Sequence, residues 1–176
     1  MGISLQLKDG RSVDVRPLTK ADASAAQRFF AKIAEQTVFT NQYPGQPVKD
    51  LEQMTARYEN KMSLHLGAFD GSELVGHIFG FILKPDHPWV GRTCRFGLMI
   101  LDGYKRQGIA GFLMEQMEMW AKDKKMHRIE ASVRCQNSAA IALYLKKGFV
   151  IEGRLKETAF INGVWHDEYL IAKLLD

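Results

Sequence analysis

Residues 98–113, LMILDGYKRQGIAGFL, restrict the fold more than any other stretch of the chain. An apolar β-rich run enters a short turn carrying Gly and charge, and the turn opens directly into a helical pattern. Ile109, Phe112, Leu113, Met117 and Trp120 recur at helical spacing, while Glu115, Glu118 and Lys122 take the other side. One face of this helix is therefore apolar and needs a sheet to cover it. Ile129, Ala131 and Val133 alternate with Glu130, Ser132 and Arg134 just beyond, which reads as a strand. Strand, helix and strand in this order predict a parallel pair joined by a crossover.

The flanking segments fit around that unit. Leu5 and Leu7, then Val13 and Val15, alternate on either side of Asp9-Gly10, a turn dipeptide, and predict an opening hairpin. Thr19 and Asp22 form an approximate capping box ahead of the helix SAAQRFFAKIAEQ. Pro44, Gly45 and Pro47 interrupt before a second helix, predicted over 48–62. Runs at 64–69 and 74–83 flank Asp70-Gly71 as an antiparallel pair, and a third strand is expected over 93–101. Asn137 begins a helix that ends at Gly148, and Asn162-Gly163 joins two β-rich runs as a closing hairpin. The whole chain, 1–176, reads as one mixed α/β (α+β) domain without linker or repeat.

Charge and cysteine content exclude several function classes. The chain has 24 Lys and Arg against 20 Asp and Glu, a net +4 spread along its length, so there is no basic block to mark a nucleic-acid partner. Cys94 and Cys135 stand far apart without CxxC or paired-His spacing, which argues against a metal site or a disulfide framework. The N-terminus carries charges where a signal peptide needs an apolar core, and the apolar run 75–83 is too short to span a bilayer. A cytoplasmic location with no membrane partner is the expectation. The Met-Gly start lacks the Ser or Thr that would complete a myristoylation pattern.

A helix N-terminus exposes unpaired amides and a partial positive charge, so a Gly- and Ala-rich first turn flanked by Lys105 and Arg106 suits an anion such as a pyrophosphate. A glycine easing a tight turn explains the same residues equally well. No GK[ST] follows and GxGxxG is absent, so the usual mononucleotide and dinucleotide fingerprints are excluded.

The run Lys105-Arg106-Gln107-Gly108-Ile109-Ala110 resembles the pyrophosphate loop of the GNAT superfamily of acetyl-CoA-dependent N-acetyltransferases, Arg or Gln, two residues, Gly, one residue, Gly or Ala. Asn137, Ala140, Tyr144 and Gly148-Phe149 resemble that family's second motif, N-x-x-A-x-x-x-Y-x-x-x-G-F. The resemblance covers residues 93–174. It implies a GNAT-like, mostly antiparallel sheet with a splayed central parallel pair, flanked by helices. It further implies that the amides from Arg106 to Gly111, including Gln107, Gly108, Ile109 and Ala110, cradle the coenzyme pyrophosphate beside Lys105. Leu98, Met99 and Ile100 would offer backbone groups to the pantetheine. Asn137 would reach the pantetheine or cap its helix, and Tyr144 would donate to the departing thiolate as the catalytic residue or else pack one helix face. Acetyl-CoA as co-substrate, no metal and an amine acceptor, whether a small-molecule amine, an amino acid, a polyamine or a protein N-terminus, belong to the same implication; homodimers are common for the fold, and the sequence itself carries no oligomer signal.

Two departures stand out. Lys105 replaces the usual Arg or Gln, giving a point charge without the planar fork. Residues 92–101 contain no carboxylate, where many members place a Glu that takes a proton from the amine. Glu73, His77, Glu130 and His166 are candidates for that base by residue type alone, each expected as a solvated surface group. The acceptor walls implied by the family fall at 37–47 and on the last strand, with Trp165, Asp167, Glu168 and Tyr169. The competing reading is a non-catalytic acyl-CoA-binding module, and a third is a basic protein docking on ribosome or RNA.

Overall fold

In the computed structural model, residues 2–47 and 51–175 are described. Two compact units emerge, Met1–Phe81 with Gly97–Trp120, and Ile82–Phe96 with Ala121–Asp176.

The first unit opens with β1 (Ile3–Gln6) and β2 (Ser12–Pro17), antiparallel in register Ile3↔Val15, as the alternation predicted. The turn is wider than the dipeptide suggested: Leu7 N–H donates to the Arg11 carbonyl at 2.7 Å, and Gly10 takes φ +90° inside the loop. A single 3₁₀ turn at Lys20–Asp22 leads into α1 (Ala23–Gln36). Ala23, Ala26, Phe29 and Ile33 are buried along one stripe of α1, the 3.6-residue period expressed as core. α2 covers Leu51–Tyr58; of the predicted 48–62, residues 48–50 lie outside the described ones, and the helix stops four residues short where Asn60 N–H turns back to the Arg57 carbonyl. β3 (Ser63–Asp70) pairs antiparallel with β4 (Glu73–Leu83) from Ser63↔Phe81 to Asp70↔Glu73, and β2 lies on the other side of β3.

Before α1, Asp22 accepts hydrogen bonds from Arg16 at 2.8 and 2.9 Å and from the Thr19 N–H and hydroxyl, both at 2.8 Å. The Arg16 hydrogen bonds outweigh the cost of burial, and with the Thr19 bonds they lower this carboxyl from 3.8 to about 2. A depressed carboxyl pKa stabilises the fold above the unfolded value, and the contribution drains away as pH falls towards the folded value. Asp22→Asn is therefore expected to cost on the order of 2 kcal/mol at neutral pH. The difference in Tm between the two proteins should shrink between pH 4 and pH 2, which thermal melts across that range would check.

The remaining part of this unit is the end of β5 (Thr93–Ile100) and most of α3 (Ile109–Asp123). Ile109, Leu113, Met117 and Ala121 are each at most 1% exposed, every fourth residue along α3. Phe112 and Trp120, placed on that face by the sequence, are half-buried at its margins, and Met114 is buried in addition. A Cβ on Gly76 of β4 would come within 2.8 Å of the Ile100 side chain and 3.1 Å of Ile109, so the absent side chain is what lets the start of α3 settle on the sheet.

The second unit contains the beginning of β5, β6 (Arg128–Arg134), α4 (Ser138–Lys146), β7 (Val150–Ile161) and β8 (Val164–Leu174), in the strand order β5-β6-β8-β7. β5 and β6 are parallel, as expected, over Thr93↔Arg128 to Arg95↔Glu130. Their ladder ends there, and Leu98, Met99 and Ile100 lie beyond its end. β6–β8 and β8–β7 are antiparallel, and Asn162 (φ +50°) with Gly163 (φ +82°) forms the predicted tight hairpin turn. The alternation on β6 hides a difference: Glu130 and Arg134 are buried along with Ile129, Ala131 and Val133, while Ser132 between them stays exposed. Glu130 accepts from Arg95 at 2.5 Å and Arg128 at 2.9 Å, and Arg134 pairs with Glu168. Cys94 and Cys135 are both free thiols. Among the described residues no helix is long and apolar enough to cross a membrane, and no group of three or more His, Cys, Asp or Glu could hold a metal.

Candidate functional site

The loop between β5 and α3 begins with a 3₁₀ turn at Asp102–Tyr104 and ends in two left-handed residues, Arg106 (φ +60°) and Gly108 (φ +99°). Backbone of this kind turns consecutive N–H groups to one side, the concavity that receives anions. Among the described residues, the amides from Arg106 to Gly111 donate to no protein acceptor, and the first to do so is Phe112, whose N–H reaches the Gly108 carbonyl at 3.1 Å. Six consecutive donors thus stand at the positive end of a 15-residue helix.

Distant parts of the same unit hold this loop. Asp9 N–H donates to Gln107 Oε1 at 3.1 Å, and Arg11 donates to the Gly103 carbonyl at 2.7 Å with its guanidinium 4.3 Å from the Tyr104 ring centroid. Tyr104 donates its hydroxyl proton to Asp70 at 2.6 Å, and Asp102 N–H donates to Gln36 at 3.0 Å. Bonding to Asp70, joined by burial, raises the Tyr104 phenol, so it stays protonated. The sequence offered no local sign of these supports, because the partners lie 34 to 98 residues apart. Lys105, expected to face the anion, places Nζ 2.5 Å from Asp102. Arg106 has no ion pair among the described residues and is the loop's uncommitted cation.

In the second unit, Asn137 and Tyr144 lie on one helix, α4. Asn137 caps α4, its Oδ1 accepting from Ala140 N–H at 3.2 Å, which leaves the side-chain NH₂ available. Gly148 (φ +83°) ends the helix, with the Phe149 N–H returning to the Tyr144 carbonyl at 3.0 Å. Tyr144 is 7% exposed, and its ring packs edge-on to Phe96 at 5.6 Å and beside Phe149 at 5.9 Å. Its hydroxyl makes no hydrogen bond among the described residues. Burial pushes this phenol up to about 12.

The four candidates for a base separate. Glu73 is exposed and pairs with Lys32 at 3.0 Å. His166 is half-buried. His77 and Glu130 are not the solvated groups expected. Glu130 lies in the ion-pair cluster of β6, and although burial opposes its charge, hydrogen bonds from Arg128 and Arg95 win and keep its carboxyl low. His77 is 1% exposed among Phe29, Phe30 and Phe79. Its Nε2 lies 3.3 Å from His65 Nδ1. Burial, aided by nearby Arg57, drops His65 to about 4, too low to hold a proton taken from an amine near neutral pH.

A sequence profile of the Acetyltransferase (GNAT) family matches residues 23–149, most of the chain. The L-amino acid N-acetyltransferase of Escherichia coli is 34% identical over 110 residues, 62% of this chain, and the chain spans 66% of that relative's length. The crystal structure of a GNAT-family acetyltransferase from Streptococcus pneumoniae superposes with a TM-score of 0.85 at 25% identity, covering 93% of this chain and 99% of that one. A phosphinothricin acetyltransferase from Sinorhizobium meliloti, solved in complex with acetyl-CoA, gives 0.79 at 16% identity over 93% and 88% of the two chains and shares the fold. With the turn of unpaired amides, the second motif and the profile match in agreement, the chain belongs to the acetyltransferase (GNAT) family.

Proposed function

We propose that the chain, working as one domain, is an acetyl-CoA-dependent N-acetyltransferase that passes the acetyl group directly to a primary amine in a ternary complex. The observation that carries this reading is the row of unpaired amides from Arg106 to Gly111. Those amides, with Gln107, Gly108, Ile109 and Ala110 supplying the turn and Lys105 and Arg106 the charge, receive the pyrophosphate. Leu98, Met99 and Ile100, past the end of the β5–β6 ladder, offer backbone groups to the pantetheine, and Asn137 its free NH₂. The two free thiols suit a reducing compartment such as the cytoplasm.

In the reaction, the amine nitrogen attacks the thioester carbonyl, the C–S bond breaks, and one proton passes from nitrogen to sulfur. Tyr144 is the catalytic residue. A phenol near 12 facing a thiol near 8.5 would lose about 5 kcal/mol by surrendering its proton outright. Tyr144 therefore donates a hydrogen bond to the developing thiolate and releases its proton only as the ammonium of the tetrahedral adduct replaces it. With no carboxylate on residues 92–101, the amine arrives neutral through solvent.

That missing carboxylate also favours a second reading, a non-catalytic acyl-CoA-binding module. Release of free thiol from acetyl-CoA across a panel of amines separates the two. We expect thiol and acetylated amine to appear in equal amounts; coenzyme binding without turnover on any amine would replace the enzyme with the module.

A further inference from the structure

The turn of the first hairpin is wider than the Asp9-Gly10 dipeptide requires. Leu7 N–H donates to the Arg11 carbonyl at 2.7 Å and Gly10 N–H to the Leu7 carbonyl at 3.1 Å, so residues 7–11 form a closed loop of their own. Within it, Asp9 Oδ1 accepts the Arg11 N–H at 3.1 Å, and Asp9 Oδ2 accepts from the Arg11 guanidinium at 2.7 and 3.1 Å. The carboxylate thus fixes the guanidinium, while the Asp9 N–H is left to donate to Gln107 Oε1 at 3.1 Å.

The fixed guanidinium makes two contacts on the loop between β5 and α3. It donates to the Gly103 carbonyl at 2.7 Å and lies 4.3 Å from the Tyr104 ring centroid. The Tyr104 hydroxyl is in turn held by Asp70 of β3 at 2.6 Å. Residues 103, 104 and 107 are gripped in this way ahead of and within the run of amides at 106–111, and every group involved belongs to the first unit. Stability does not account for the arrangement: the Arg11 and Asp9 side chains are 41% and 33% exposed, and exposed ion pairs contribute little to a fold. What directed contacts on one short loop do supply is order before binding, so that a ligand does not have to arrange its own donors.

We propose that Arg11 is a positioning residue for the coenzyme: fixed by Asp9, it holds the β5–α3 loop in the shape that presents its amides to the pyrophosphate. Its action runs through Gly103 and Tyr104 and, by way of the turn it closes with Asp9, through Gln107. The inference rests on the reading of residues 106–111 as the pyrophosphate site and adds to it a residue 92 positions before the loop it orders.

Calorimetric titration with coenzyme A tests this without turnover. Arg11→Gln is expected to raise the Kd about tenfold with little change in Tm. Arg11→Lys keeps the charge but not the planar fork that meets Asp9, Gly103 and the ring together, so its Kd should rise nearly as far. Arg16→Gln, on the same hairpin but tied to Asp22, is the control for general loosening and should lower Tm while leaving Kd unmoved. In turnover the change belongs in the KM for acetyl-CoA, with kcat and the KM for the amine held. Wild-type affinity in Arg11→Gln, full recovery in Arg11→Lys, an equal rise in Arg16→Gln, or a loss confined to kcat overturns the positioning role and leaves acetyl transfer standing. Failure of the wild-type protein to bind coenzyme A overturns the pyrophosphate reading and this inference together.

Discussion

Tyr144→Phe is expected to lower kcat by about 10² to 10⁴, the range that a positioned proton donor contributes, while the Kd for acetyl-CoA stays within a factor of two or so. The change removes one oxygen from a ring whose packing against Phe96 and Phe149 is otherwise untouched. Because the hydroxyl makes no hydrogen bond among the described residues, its loss strands no buried partner among them, and Tm should hold. Single-turnover kinetics with a reactive amine is the measurement. A wild-type rate in the Phe variant would assign Tyr144 to packing alone and leave the leaving thiolate to solvent.

The second large effect is at Gly108. At φ +99° the backbone occupies a region that side chains rarely adopt, although nothing lies within 4 Å of where a Cβ would sit. The cost of Gly108→Ala is thus conformational rather than steric, of order 1–3 kcal/mol, or about 5- to 150-fold in an equilibrium constant. The variant can relieve this strain by turning the peptide and breaking the line of amides. Calorimetry should then show acetyl-CoA affinity falling by at least tenfold with little loss of Tm. Gly163→Ala serves as the control, since it carries similar strain at φ +82° in the β7–β8 turn, and it should lower Tm while leaving affinity alone.

What the sequence made legible was whatever depends on neighbours along the chain. Periodicity in Ile109, Leu113 and Met117 located the buried stripe of α3, and Asn162-Gly163 located the last turn. The two motifs located the loop and the capped helix. Burial imposed from outside a segment was not legible. Glu130 and Arg134 alternate like surface residues, yet they are buried with counter-ions contributed by β5 and β8. His77 reads as a polar interruption of an apolar strand, and rings distant in sequence, Phe29 and Phe30 from α1 among them, pack against it in its buried site. The same limit applies at the loop. Lys105 stands beside the helix N-terminus in the sequence, and its pair with Asp102, three residues earlier, is visible only in the structure, where Arg106 has no ion pair among the described residues. The supports from Asp9, Arg11, Gln36 and Asp70 come from far along the chain, and nothing local announces them.

The claim that underlies all of this is that the amides of residues 106–111 receive the pyrophosphate of an acyl-coenzyme A. Amide resonances followed during a titration with coenzyme A test it directly. We expect the largest shifts, together with new protection from hydrogen exchange, at Arg106 through Gly111, and both should weaken in Gly108→Ala. Saturable binding that leaves those six amides unmoved and unprotected would contradict the account.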